Sequence, residues 1–105
     1  MELQEIIMKT VEKVNGHPVD TSGCRAFYTP EEWKERGERY GQGSVLVVVH
    51  DGGDLARFFD YNRMNYAAID ALGDALAEAG YFAEQCTSWY SAIYPLQPIS
   101  FPTAP

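Results

Sequence analysis

Apolar positions recur at two different spacings along this chain, and the spacing divides it into elements. In residues 2–14, Leu3, Ile6, Ile7, Val11 and Val14 fall three or four apart, with Glu2, Glu5, Lys9, Glu12 and Lys13 on the other faces. That is an amphipathic helix. Its acids come early and its lysines late, as the macrodipole favours, and Gly16 followed by His17-Pro18 ends it. Residues 19–28 are ambiguous, either a short edge strand around Cys24-Arg25-Ala26-Phe27-Tyr28 or a loop over the core. Thr29-Pro30-Glu31-Glu32 then combines a capping threonine, proline at the first helical position and a glutamate three residues after the cap. A second helix starts there, anchored by Trp33, weakened at Gly37 and stopped by Gly41 and Gly43.

The central stretch, residues 44–61, carries five consecutive apolar residues at 45–49, four of them valine. Such a run is too short for a helix and suits a buried strand. Asp51-Gly52-Gly53-Asp54 then supplies turn residues, and residues 55–61 are expected to return as a second strand, closing a hairpin on which the rest of the fold is built. Residues 66–79 place Ile69, Leu72, Leu76 and Ala79 on one helical stripe, and Gly80 closes it. Residues 81–87 and 89–94 read as two further short strands around a turn at Thr87-Ser88.

This order predicts an α+β fold: a small single domain with a three- to four-stranded antiparallel sheet, built on a central hairpin and covered by about three helices. The domain spans residues 1–94. Residues 95–105 hold four prolines and no charge, and are expected to form an extended tail.

Composition narrows the functional classes. The 105 residues suffice for one core without staples, and 46% hydrophobic residues with 22% charged are ordinary globular values. No apolar run is long enough to span a bilayer, and the acidic start MELQEIIMKT is unlike a secretory signal. A cytoplasmic location is expected. Cys24 and Cys86 lie far apart with no CxxC element. They read as free, buried thiols, with a single bridge as the alternative.

The formal charge of −7 argues against nucleic acid or anionic membrane as a direct partner. Its distribution is uneven, because every lysine and arginine lies at or before Arg63, whereas Asp70, Asp74, Glu78 and Glu84 follow it. The second helix offsets its charges through Glu32 with Arg36 and Glu35 with Arg39 at i, i+4. The 66–79 helix does not. Asp70, Asp74 and Glu78 stand at i, i+4 and i+8 as one stripe of like charge, which costs about 0.2–0.5 kcal/mol per pair, and Glu78 sits at the unfavourable end of the dipole. A stripe of this kind is often only a solvated face. The alternative is a surface that meets a positively charged partner.

Aromatic residues crowd the same region. Tyr81, Trp89, Tyr90 and Tyr94 lie within fourteen residues, and strand alternation puts Trp89 and Ile93 on one face with Tyr90 and Tyr94 on the other. Tyrosines on an open sheet face are effective interface anchors. The expected partner-binding set is therefore Asp70, Asp74, Glu78, Glu84, Tyr81, Trp89, Tyr90 and Tyr94. Its function would be that of a non-enzymatic protein-binding module for a basic surface on a nuclease or other nucleic-acid-binding protein, of the phage or plasmid anti-defence type, with no cofactor.

Two competing readings stand beside it. His50, Asp51 and Asp54, with His17 and Cys86 brought near, would suit a metal-dependent hydrolase centred on the hairpin tip, although turn chemistry alone explains these residues. No HExxH, GxSxG, P-loop or dinucleotide fingerprint occurs. The other is a homodimer that buries its own aromatic face as a structural component.

Overall fold

The computed structural model describes residues 2–23, 25–38, 40–41 and 43–96. Its elements are α1 (Leu3–Asn15), β1 (Phe27–Tyr28), α2 (Pro30–Glu35), β2 (Leu46–Val49), the single-turn α3 (Ala56–Phe59), α4 (Tyr66–Glu78), β3 (Tyr81–Gln85) and β4 (Tyr90–Pro95). The strands form one antiparallel sheet in the order β1-β2-β4-β3. The fold is the small α+β domain that the element order predicts. The last strand runs one residue past the expected boundary at 94, and residues 97–105, most of the expected tail, lie outside the described residues.

Alternation assigns the two faces of the sheet. Leu46 and Val48 of β2, Ile93 of β4, and Tyr81 and Ala83 of β3 turn towards α1 and α4, where they pack with Ile7, Val11, Ala68, Leu72 and Leu76. This is the larger core. On the other face, Val47 and Tyr90 meet Trp33 of α2, with Tyr28, Val49, Cys86 and Trp89 around them. Trp33 is fully buried, and the rings of Tyr28, Trp89 and Tyr90 stand 5.0, 5.7 and 4.8 Å from it. One tryptophan thus organises a second core beneath a six-residue helix.

That helix forms as its capping residues dictate. Thr29 accepts from the Glu32 N–H, and the Glu32 carboxylate accepts from the Thr29 N–H. It ends at Glu35, well before the expected stop at Gly41 and Gly43, because the chain turns into the left-handed region at Gly37, with φ +84°. The expected Glu32–Arg36 pair is replaced. Glu32 pairs with Arg25, which holds its carboxyl down at about 2, first through that hydrogen bond and next through the Thr29 N–H. Arg36 instead lies over the Trp33 ring at 4.8 Å, and Arg39 is outside the described residues.

The central hairpin expected at residues 44–61 does not form. β2 pairs with β1 and β4, and the chain beyond it enters a 3-10 turn at Gly53–Leu55 and then α3. Two causes are visible. Leu55, Ala56, Phe58 and Phe59 are all buried, a spacing that fits a helical turn and not a strand. The glycines also serve a different contact: the Asp54 N–H donates to the Asp20 carbonyl, the Asp54 carboxylate accepts from the Asp20 N–H, and a Cβ on Gly53 would stand 2.2 Å from the Asp20 oxygen. The 51–54 segment is fastened to the loop after α1. The hairpin of this fold is β3–β4, closed by the Thr87 hydroxyl accepting from the N–H groups of Trp89 and Tyr90.

Candidate partner-binding surface

α4 is capped by Asn65, whose side chain accepts from the Ala68 N–H. Ala68, Leu72 and Leu76 bury one stripe, and this fixes the rest of the helix by geometry. Asp70, Asp74 and Glu78 are all exposed on the side away from the core. None has an ion-pair partner within 4 Å among the described residues. Glu78 shares a groove between α1 and α4 with Ile6, Lys9 and Thr10, so Lys9 is a basic residue of the N-terminal half that lines the same groove.

The rest of the expected set is divided. Tyr81 is half-buried in the larger core, on the face that carries α4. Glu84 is exposed on the opposite face, where it lines a shallow pocket with Tyr40, Gly41, Gln85, Cys86 and Tyr94. Tyr90 corrects the expectation of an outward anchor: it is 1% exposed beneath Trp33, and its hydroxyl bonds the backbone of Tyr40. Trp89 also differs from its predicted place. It precedes β4, escapes strand alternation and folds onto Trp33 and Tyr90, while Ile93 faces the helices. Tyr94 is half-buried on the same sheet face as Glu84, where it stacks on Phe82 at 5.6 Å, and burial pushes its hydroxyl pKa up.

The hydrolase set does not converge. His50 is 1% exposed and stacked on Phe59, its Nε2 paired with the Ser91 hydroxyl and its Nδ1 without a partner among the described residues. Burial holds its pKa below the ordinary value. Asp51 is exposed at the turn, and Asp54 is committed to Asp20, with His17 at 3.7 Å. Among the described residues no group of three or more His, Cys, Asp or Glu side chains is placed to hold a metal ion. Cys86 is a half-buried free thiol whose pKa burial raises, and Cys24 lies outside the described residues. No helix among the described residues is long and apolar enough to cross a membrane.

A feature absent from the sequence expectation is an apolar cleft of about 220 Å³ between α4 and β3. Ile69, Gly73 and Ala77 form its helical wall, Tyr81 and Ala83 its strand wall, and Phe58, Tyr61 and Gln85 close one end. Gln85 is held there by bonds to Asp60 and to the Tyr61 N–H, and its bond to Asp60 is the first cause of that carboxyl's lowered pKa. The sequence signal for this end of the cleft is the i, i+3, i+4 spacing of Leu55, Phe58 and Phe59, which fits a helical turn better than the strand expected over residues 55–61. Comparison with protein-family models, with curated proteins and with solved structures finds no match.

Proposed function

We propose that this chain is a non-enzymatic, cytoplasmic protein-binding module whose acidic helix α4 meets a basic surface on another protein. In its sharpest form it is an inhibitor of the anti-defence type, occupying the surface with which a nuclease or other nucleic-acid-binding protein holds its substrate. The supporting observation is that Asp70, Asp74 and Glu78 project from one capped helix with no ion-pair partner among the described residues. Successive carboxylates rise by about 6 Å along the axis, a regular row of negative charge that a groove built for phosphates could meet. A groove lined by lysine and arginine would gain charge-assisted hydrogen bonds from such a row.

The chain's net charge of −7 adds long-range steering towards a basic partner. Glu84 and Tyr94 lie on the far face of the sheet and form no single surface with α4, so the proposal rests on α4 alone. The test is DNA binding by candidate nucleases and CRISPR effectors, measured with the wild-type chain and with a variant carrying Asp70→Asn, Asp74→Asn and Glu78→Gln. The wild type is expected to displace DNA and the variant to fail. Displacement by both would remove α4 from the account.

A further inference from the structure

β3 is an edge strand, and its ladder shows which groups it leaves open. The Cys86 N–H donates to the Tyr90 carbonyl and the Leu96 N–H to the Gly80 carbonyl, in the same register that pairs Phe82 with Tyr94 and Glu84 with Ala92. The even-numbered residues therefore bond to β4. By the alternation of an antiparallel ladder, Tyr81, Ala83 and Gln85 direct their N–H and C=O groups outward, along an edge that no other strand pairs among the described residues. The side chains of Tyr81 and Ala83 line the cleft against α4. Open backbone and open cleft thus belong to the same residues.

Natural edges are commonly guarded by lysine, proline, a bulge or a covering segment. The sequence YFAEQ of β3 has one charge, Glu84, and neither lysine nor proline. On the opposite wall, α4 carries Gly73 in its interior, where glycine is less stable than alanine. A Cβ there would meet no atom of the described residues within 4 Å, so packing among them does not require a glycine. Its absent side chain widens the cleft beside the open edge.

We infer that β3 takes up an extended segment of a basic partner protein as a fifth strand, with alternate apolar side chains entering the cleft between β3 and α4. This rests on the proposed reading of the chain as a module for basic proteins, and it specifies how such a partner is held. Guest residues opposite Tyr81, Ala83 and Gln85 share their face and point at Ile69, Gly73 and Ala77. Guest residues between them lie on the other face beside Phe82, which is 43% exposed, and Glu84, where lysine or arginine is favoured. Asp70 stands on the same side of α4 as Ala77, seven residues on, so acid flanks the cleft on its helical wall as well. The arginines of the closing segment are engaged, Arg63 near Asp60 at 3.9 Å and Arg57 over the Phe58 ring. Charge complementarity selects a basic guest over a second copy of this chain, which would bring its own −7.

The experiment is selection of a displayed library of random ten-residue peptides against the full chain, followed by anisotropy measurements on the enriched peptide. Enrichment of alternating apolar residues interleaved with lysine or arginine is expected. Affinity should fall at least tenfold with Ala83→Pro, which removes one outward N–H at an edge that tolerates proline, and with Gly73→Leu, which fills the cleft. It should also fall when the peptide is N-methylated at alternate residues. Circular dichroism of both variants should match the wild type, and Gly73→Ala, which cannot unfold the helix, should still weaken binding several-fold. Undiminished binding to Ala83→Pro, or by the N-methylated peptide, would overturn strand addition while leaving an acidic docking surface intact. An enriched peptide without alternation, no enrichment at all, a dimer by light scattering, or binding only after removal of residues 97–105 would each overturn it too. Loss of binding in the Asp70, Asp74 and Glu78 variant, with Ala83→Pro binding normally, would place the partner on α4 alone.

Discussion

Neutralising the α4 stripe should make the free protein more stable and its complex weaker. The triple variant Asp70→Asn, Asp74→Asn, Glu78→Gln removes two like-charge i, i+4 pairs, worth about 0.2–0.5 kcal/mol each. It also removes a carboxylate from the last residue of α4, where the dipole opposes it by about 0.3–1 kcal/mol. The three side chains are exposed and without ion-pair partners among the described residues, so no compensating contact is lost. The sum is a gain of about 0.7–2 kcal/mol. For a domain of this size, a midpoint shift of about 4–8 °C per kcal/mol gives a rise of roughly 3–16 °C. Thermal unfolding followed by circular dichroism at about 0.01 M and about 1 M salt checks both magnitude and origin, because screening should erase most of the difference at the higher salt. A lower midpoint in the variant, or a gain that persists in high salt, would refute the claim that the stripe is uncompensated. Lys9, across the α1–α4 groove from Glu78, would then be the first group to suspect.

Other outcomes follow from the two cores and the turn between them. His50 is buried with its pKa lowered, so the unfolded chain takes up the proton first. Its contribution to stability is complete above the unfolded value of 6.5 and is lost as pH falls through the lower folded value. Thermal midpoints should therefore drop on acidification below about pH 6.5, less so in His50→Gln, and equal slopes would refute this. Gly53→Ala should lower the urea midpoint by more than about 1 kcal/mol of stability, since its Cβ would collide with the Asp20 carbonyl at a φ of +75°. An unchanged midpoint would mean that the 51–54 segment is not held to the loop after α1. Trp33→Ala should cost about 3–5 kcal/mol, a large share of the stability of a small domain, with Trp33→Phe recovering part of it in the same urea titration. Gly73→Ala should stabilise the free chain by about 0.5–1 kcal/mol.

The elements that could be read from the sequence are those whose signals are local. α1 and α4 follow from apolar spacing and caps, α2 begins at its threonine-proline-glutamate cap, and β3 and β4 flank Thr87-Ser88 as expected. The failure at residues 55–61 has a physical reason. Asp-Gly-Gly-Asp is compatible with either a tight turn or a close backbone contact, and only the Asp20–Asp54 bonds, 34 residues apart in sequence, decide between them. Tyr90 and Trp89 went the same way: alternation gave Tyr90 its face, but not that Trp33 on a remote helix would cover it. The acidic stripe of α4 was legible because helical periodicity and one buried stripe determine what points outward. The cleft beside it was not, since it depends on α3, Tyr61 and the placement of an edge strand that no single segment specifies.

Contact between the carboxylates of α4 and basic side chains of a partner is read directly by zero-length carboxyl-to-amine cross-linking. With a nuclease or effector whose DNA binding the chain blocks, digestion and mass spectrometry should join Asp70, Asp74 or Glu78 to lysines lining the partner's nucleic-acid groove, and excess DNA should abolish those links. Cross-links confined to acids elsewhere, such as Glu12 or Glu31, with none from α4, would contradict it.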